Sequence, residues 1–206
     1  MKNRFFLTAA LATALIIPAT GTALAHGEPR PGSACSMSGM AKTIHSKTYV
    51  CQMNGGKRTW SKGLPVSKSR LTTQDTWAKA ANTGMTAIFG TITNPSNRAI
   101  RVIAATTPFS PTQIHQVAMV DGAMKMMEKP GGLVIPARGK VELKPGGDHL
   151  MLMKLSRPIK AGTRVPVRLI TSNGATAAFT AIGKPFAGAN ESYDENHGGH
   201  SGMSMP

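Results

Sequence analysis

An all-β domain is what this sequence predicts, and three observations predict it. Short runs rich in β-branched residues recur: Thr86 to Thr93, Ile100 to Ala105, Gln113 to Val120, Lys140 to Leu143, His149 to Leu155, Val165 to Thr171 and Thr176 to Ile182. Turn-forming clusters separate them, namely Asn94-Pro95-Ser96-Asn97, Pro108, Pro130-Gly131-Gly132, Pro145-Gly146-Gly147 and Ser172-Asn173-Gly174. Long apolar stretches of helical period are scarce. Short strands with regular turn signals build a β-sandwich or small barrel.

The N-terminus reads as an address. Lys2 and Arg4 precede an apolar run from Phe5 to Ile17, and Ala23-Leu24-Ala25 follows. A basic start, a short apolar stretch and small residues make a secretory signal over residues 1–25, cleaved after Ala25. The run is too short to span a bilayer. The expectation is an exported protein, periplasmic or otherwise extracytoplasmic, soluble once the signal is removed and beginning at His26.

Export places the only two cysteines, Cys35 and Cys51, in an oxidising compartment, where a disulfide is the economical state. Closing a loop of this size stabilises by roughly 3 kcal/mol on the chain-entropy account. Tyr49-Val50-Cys51 and Arg58-Thr59-Trp60 flank Asn54-Gly55-Gly56 and predict a β-hairpin tied back by that bond. So small a unit needs the staple to be stable. Residues 26–70 are therefore expected to form a Cys-linked module ending in a linker, Leu64 to Arg70. The main domain occupies 71–186, and a flexible tail rich in His and Met occupies 187–206.

The formal net charge of +15 suits anionic partners such as a membrane or cell-wall surface. Lys and Arg are nonetheless scattered, without the basic stripe and stacking aromatics of a nucleic-acid binder, so no nucleic-acid partner is expected.

Chemistry concentrates in one stretch. In His149-Leu150-Met151-Leu152-Met153, strand alternation puts His149, Met151 and Met153 on one face and the leucines on the other. Upstream, His115, Val117 and Met119 share a face if their run is a strand, as do Met124 and Met126 on the next. A turn at Asp121-Gly122 would bring His115 within reach of Met126. Two ligands from this hairpin and two from the strand at His149 would complete a four-coordinate site. Imidazole mixed with thioether selects Cu(I), whereas zinc prefers thiolate, imidazole and carboxylate, and calcium wants oxygen. A single Met or His in a β core is ordinarily packing. The clustering of Met119, Met124, Met126, Met127, Met151 and Met153 beside two histidines is what packing alone leaves unexplained.

From Trp77 to about Ile182 the chain resembles the PCuAC copper-chaperone domain, with its pattern His-x10-Met-x21-His-x-Met. Thr93-Asn94-Pro95, Ile114-His115, Met124-Lys125-Met126, Ile135-Pro136-Ala137 and the run from Val141 to Met153 carry the resemblance. It implies a cupredoxin-like β fold, the metal ligands His115, Met126, His149 and Met151, and copper transfer outside the cytoplasm. The acceptor it implies is a cytochrome oxidase subunit or another copper chaperone. One departure matters: His115 to Met126 keeps the family interval, while Met126 to His149 is one residue too long. Met127 satisfies the second interval and violates the first, and so remains a rival ligand.

His197, His200, Met203 and Met205 in the tail are candidate ligands, the imidazoles for Cu(II). His26 at a new N-terminus has the groups for a chelating copper brace. No carboxylate or hydroxyl constellation for turnover accompanies these residues, so a carrier rather than an enzyme is expected. The alternatives are a copper enzyme built on His26 and a cationic surface-associated structural protein in which the methionines are packing.

Overall fold

The structure is a computed structural model that describes residues 28–188. Among them no helix forms, and fifteen strands are described. They run in chain order as β1 (Ala41–Ile44), β2 (Lys47–Asn54), β3 (Lys57–Trp60), β4 (Leu64–Pro65), β5 (Ser67–Lys68), β6 (Thr72–Lys79), β7 (Thr86–Thr93), β8 (Ile100–Thr106), β9 (Thr112–Val120), β10 (Ala123–Glu128), β11 (Leu133–Ile135), β12 (Lys140–Leu143), β13 (His149–Leu152), β14 (Arg164–Thr171) and β15 (Ala175–Lys184).

The first four make a small sheet ordered β1-β2-β3, with β4 beside β2. Its β2–β3 hairpin turns at Gly55-Gly56, both at positive φ, and pairs Cys51 with Trp60. The disulfide between Cys35 and Cys51 is present, with 5.9 Å between the Cα atoms. Val50 is fully buried and clusters with Ala104 and Ile170 of the larger sheet. A module with so little apolar surface of its own therefore rests against its neighbour.

The larger sheet runs β10-β9-β13-β7-β6-β15-β14-β8-β11, with β12 also paired to β7 and β5 to β15. It folds over on itself. Ile88, Ile114, Leu150 and Leu152 from one half meet Val102, Leu133, Val167 and Leu169 from the other in a single core. This is the sandwich that the alternating pattern predicts, because each strand has one apolar face to hide.

Most strands fall where the sequence places them, and the differences have local causes. β13 stops at Leu152; at the next step of the same register the Met153 amide donates to the Pro111 carbonyl, but proline has no N–H to return the bond. Residues 64–70, which read as linker, instead carry two short strands: β4 pairs with β2, and β5 runs parallel to β15. Two-residue pairings leave no periodicity to detect. β6 begins at Thr72, at the head of the 71–186 domain, and shifts register between Gln74 and Trp77.

Asn94 shows what one of the matching sequence pieces is for. It is fully buried, its amide donating to the carbonyls of Arg98, Ile135 and Pro136 at 2.8, 3.2 and 2.9 Å while its oxygen accepts from Ser96. The Thr93-Asn94-Pro95 and Ile135-Pro136-Ala137 segments are thus two halves of one corner, and their role is structural.

Candidate metal centre

Strand alternation divides β9 between two faces. Ile114 enters the main core, so Gln113, His115, Val117 and Met119 turn the other way. Register carries this face across the neighbours. In β13, His149 lies directly opposite His115 and Met151 opposite Gln113. In β10, Met126 lies opposite Val117 and Glu128 opposite His115. The turn between β9 and β10 is Asp121-Gly122, both at positive φ, as a two-residue hairpin of the right twist requires.

Two imidazoles and two thioethers from three adjacent strands therefore reach one face. All are buried, with 0 % exposure at His115, 2 % at His149 and 6 % at Met126 and Met151. Met126 and Met151 pack with Ala87 and Phe89 in a cluster separate from the main core, with Trp77 and Met153 against it. Trp77 lies 4.6 Å from the Phe89 ring and 5.2 Å from that of Phe186, centroid to centroid, and Phe89 lies 6.1 Å from His149. An aromatic wall from β6, β7 and the chain after β15 shuts this side off from bulk water.

Met127 pairs with Gln116 and points to the opposite face from Met126. Met119 and Met124 lie opposite one another near the hairpin tip, 66 % and 48 % exposed. His45 sits in the exposed β1–β2 turn, and Met53 is partly exposed on β2. His26, His197, His200, Met203 and Met205 lie outside the described residues.

Hydrogen bonds select the histidine tautomers. His149 Nδ1 lies 2.9 Å from the Gly147 carbonyl, which can only accept, so Nδ1 carries the proton and Nε2 the lone pair. His115 Nε2 lies 3.0 Å from the side-chain oxygen of Gln113, which leaves Nδ1 as its lone-pair atom. Both lone-pair nitrogens are buried, and the ring centroids are 5.7 Å apart. Burial, with the neighbouring His149 opposing a second positive charge, holds the His115 pKa down at about 3. The ring is neutral at pH 7, with a lone pair available to a metal.

Glu128 lies opposite His115 at the end of β10. Burial pushes its pKa upward, against the Ser38 hydroxyl and the Arg58 charge, which favour the anion. Lys129 joins the end of β10 to the turn before β13 by donating to Gln116 Oε1 at 3.0 Å and to Asp148 Oδ1 at 2.9 Å. Among the described residues no group of three or more His, Cys, Asp or Glu side chains forms a metal cluster. The donor set is therefore not one that zinc or calcium favours.

Sequence reasoning missed Gln113, Glu128 and the Trp77–Phe89 wall. The first two stand two positions from His115 and Met126 on the same strand faces, so period-two counting would have found them. Nothing local marks Trp77 and Phe89: Phe89 arrives on β7, which pairs with β13, and Trp77 on β6, one strand further out.

Fold and site together define a β-sandwich protein with a closed His/Met cluster on one face of its larger sheet. The sequence profile of the family described as "Putative lipoprotein LpqE-like" matches residues 71–182, and the chain belongs to that family. It is 42 % identical over 132 residues to "Putative lipoprotein Lxx21020" of Leifsonia xyli subsp. xyli, a match covering 64 % of this chain and 75 % of that protein. Similar solved structures include the copper-bound PCuAC domain from PmoF2, at 17 % identity and a TM-score of 0.47 over 58 % of this chain and 96 % of that one. Another is CuI-DR1885 from Deinococcus radiodurans, at 32 % identity and a TM-score of 0.43 over 57 % and 82 %. None of these descriptions names an enzyme.

Proposed function

We propose that this protein is an extracytoplasmic copper carrier that holds one Cu(I) ion between His115, Met126, His149 and Met151 and passes it to a copper-accepting protein. The observation that carries this reading is the gathering of two imidazoles and two thioethers from β9, β10 and β13 on one buried face. Soft, uncharged donors suit a soft monovalent ion and do little for a doubly charged one. An ion about 2 Å from one nitrogen of each ring puts the ring centres roughly 5 to 6 Å apart, with which the 5.7 Å separation is compatible. Thioether ligation exchanges readily, which suits a carrier more than a permanent cofactor site.

The resemblance to PCuAC domains and the lipoprotein descriptions of the relatives support delivery outside the cytoplasm, to a cytochrome oxidase subunit or another copper chaperone. The deciding measurement is Cu(I) competition against a chromophoric chelator under reducing conditions. One ion per chain is expected, and no uptake would end this reading.

The tail belongs to the same proposal as a Cu(II) capture segment through His197 and His200, with Met203 and Met205 for the reduced ion. Full-length mature protein is expected to take up more Cu(II) than a form ending at Phe186, with core Cu(I) binding retained in both. Equal copper stoichiometry would remove the tail from the mechanism.

A further inference from the structure

The small disulfide module touches the metal face at Ser38 and Gly39, and the contact has chemical content. Gln113 Nε2 donates to the Ser38 carbonyl at 3.2 Å and lies 3.4 Å from Glu128 Oε2. Two acceptors around one end of a side-chain amide fix which end is nitrogen. The Gln113 oxygen is thereby turned to His115 Nε2 at 3.0 Å, where it can only accept. His115 must then hold its proton on Nε2 and keep its lone pair on Nδ1. The tautomer of one candidate ligand is thus decided by a backbone carbonyl from the disulfide loop of the small module.

Ser38 is itself held by the staple. It lies inside the loop closed by Cys35–Cys51, and the adjacent Gly39 amide donates to the Cys51 carbonyl at 2.9 Å while the Cys51 amide donates to Met40 at 2.7 Å. Gly39, at φ +79°, lies so close to β9 that a Cβ there would stand 3.1 Å from the Thr112 carbonyl. Ser38 and Gly39 are buried against the strand that carries His115. The sequence suggests a module separated from the ligands by a linker; the structure seats its disulfide loop beside the candidate site.

We infer that the disulfide-stapled module is part of the copper site: through the Ser38 carbonyl it orients Gln113, a positioning residue, which presents the His115 Nδ1 lone pair to the ion. This rests on the Cu(I) reading above. A ligand whose protonated nitrogen is fixed by an outer partner binds more tightly than one free to exchange tautomers, by about 10- to 100-fold where such partners have been removed from other metal sites. The staple is therefore coupled to affinity, with the disulfide loop as the wall that holds the outer partner in place.

The test uses the full mature chain, its Gln113→Leu variant and its Cys35→Ser/Cys51→Ser variant, each examined in two ways. Nitrogen-15 shifts of the His115 ring in the apo protein report the tautomer, and chelator competition reports Cu(I) affinity. In the parent protein Nε2 should be the protonated nitrogen. Gln113→Leu should mix the tautomers and weaken Cu(I) about tenfold or more. The paired serine variant should shift both readouts in the same direction by a smaller factor. Should Gln113→Leu not fold, the serine pair carries the test, because it leaves every residue of the larger sheet unchanged. Unaltered ring shifts and affinity in the folded variants would overturn the inference. If the parent chain took up no Cu(I) while its ring shifts responded as expected, the copper reading would fail and the positioning role of Gln113 would stand.

Discussion

His149→Leu is expected to weaken Cu(I) binding by at least about a hundredfold, or roughly 2.7 kcal/mol, in a protein that stays folded. His149 opens β13 with its Nδ1–H spent on the Gly147 carbonyl, so its contribution to the site is the buried Nε2 lone pair. Leucine fills similar space beside Phe89 and offers no lone pair. Met126→Leu keeps the bulk and removes sulfur, and a loss of at least about tenfold, or 1.4 kcal/mol, is expected. Met127→Leu should alter affinity much less, since Met127 pairs with Gln116 on the other face of β10. The measurement is chelator competition under reducing conditions on a form ending at Phe186, so that tail ligands cannot compensate, with thermal unfolding as the control for folding. A large loss for Met127→Leu with none for Met126→Leu would mean that the register of β10 in solution is one residue out.

The second large effect is on stability. Gly132→Ala is expected to cost about 3 kcal/mol or more, read as a fall in the denaturation midpoint, while Gly131→Ala costs about 1 to 2 kcal/mol. Both glycines have positive φ, 72° at Gly131 and 78° at Gly132. A Cβ on Gly131 would meet only the movable Arg101 guanidinium at 3.3 Å. On Gly132 it would fall 2.1 Å from the Val102 carbonyl oxygen, within the backbone of β8, which cannot yield without breaking the pairing of Leu133 with Val102. Equal losses from the two substitutions would show that this contact does not exist in solution. The contrast also bears on the residue by which the interval from Met126 to His149 exceeds the family pattern. The Pro130-Gly131-Gly132 turn lies within that interval, and its second glycine is wedged against a neighbouring strand.

How much was legible in advance depended on whether the signal was local. Alternation within His149-Leu150-Met151-Leu152 shows which side chains share a face, because the period of a strand is two wherever the strand ends up. Asp121-Gly122 shows a tight turn, because few residues adopt φ > 0 without penalty. Cys35 and Cys51, as the only cysteines of the sequence, leave one pairing. Other features carried no such signal. The straps at Leu64–Pro65 and Ser67–Lys68 are too short for any pattern, and Trp77 joins the site only because β6 pairs with β7 across a register shift.

By itself, then, the amino-acid sequence determined the all-β class, the strand positions, the disulfide and the clustering of imidazole and thioether groups, all of which follow from residue type and near-neighbour spacing. Only the tertiary structure decided that β9, β10 and β13 lie side by side in the register that collects His115, Met126, His149 and Met151 on one buried face. It alone set Ser38 of the disulfide loop against Gln113. Such choices are made by hydrogen-bond register and by packing between segments far apart in the chain, and neither is written in any single window of sequence.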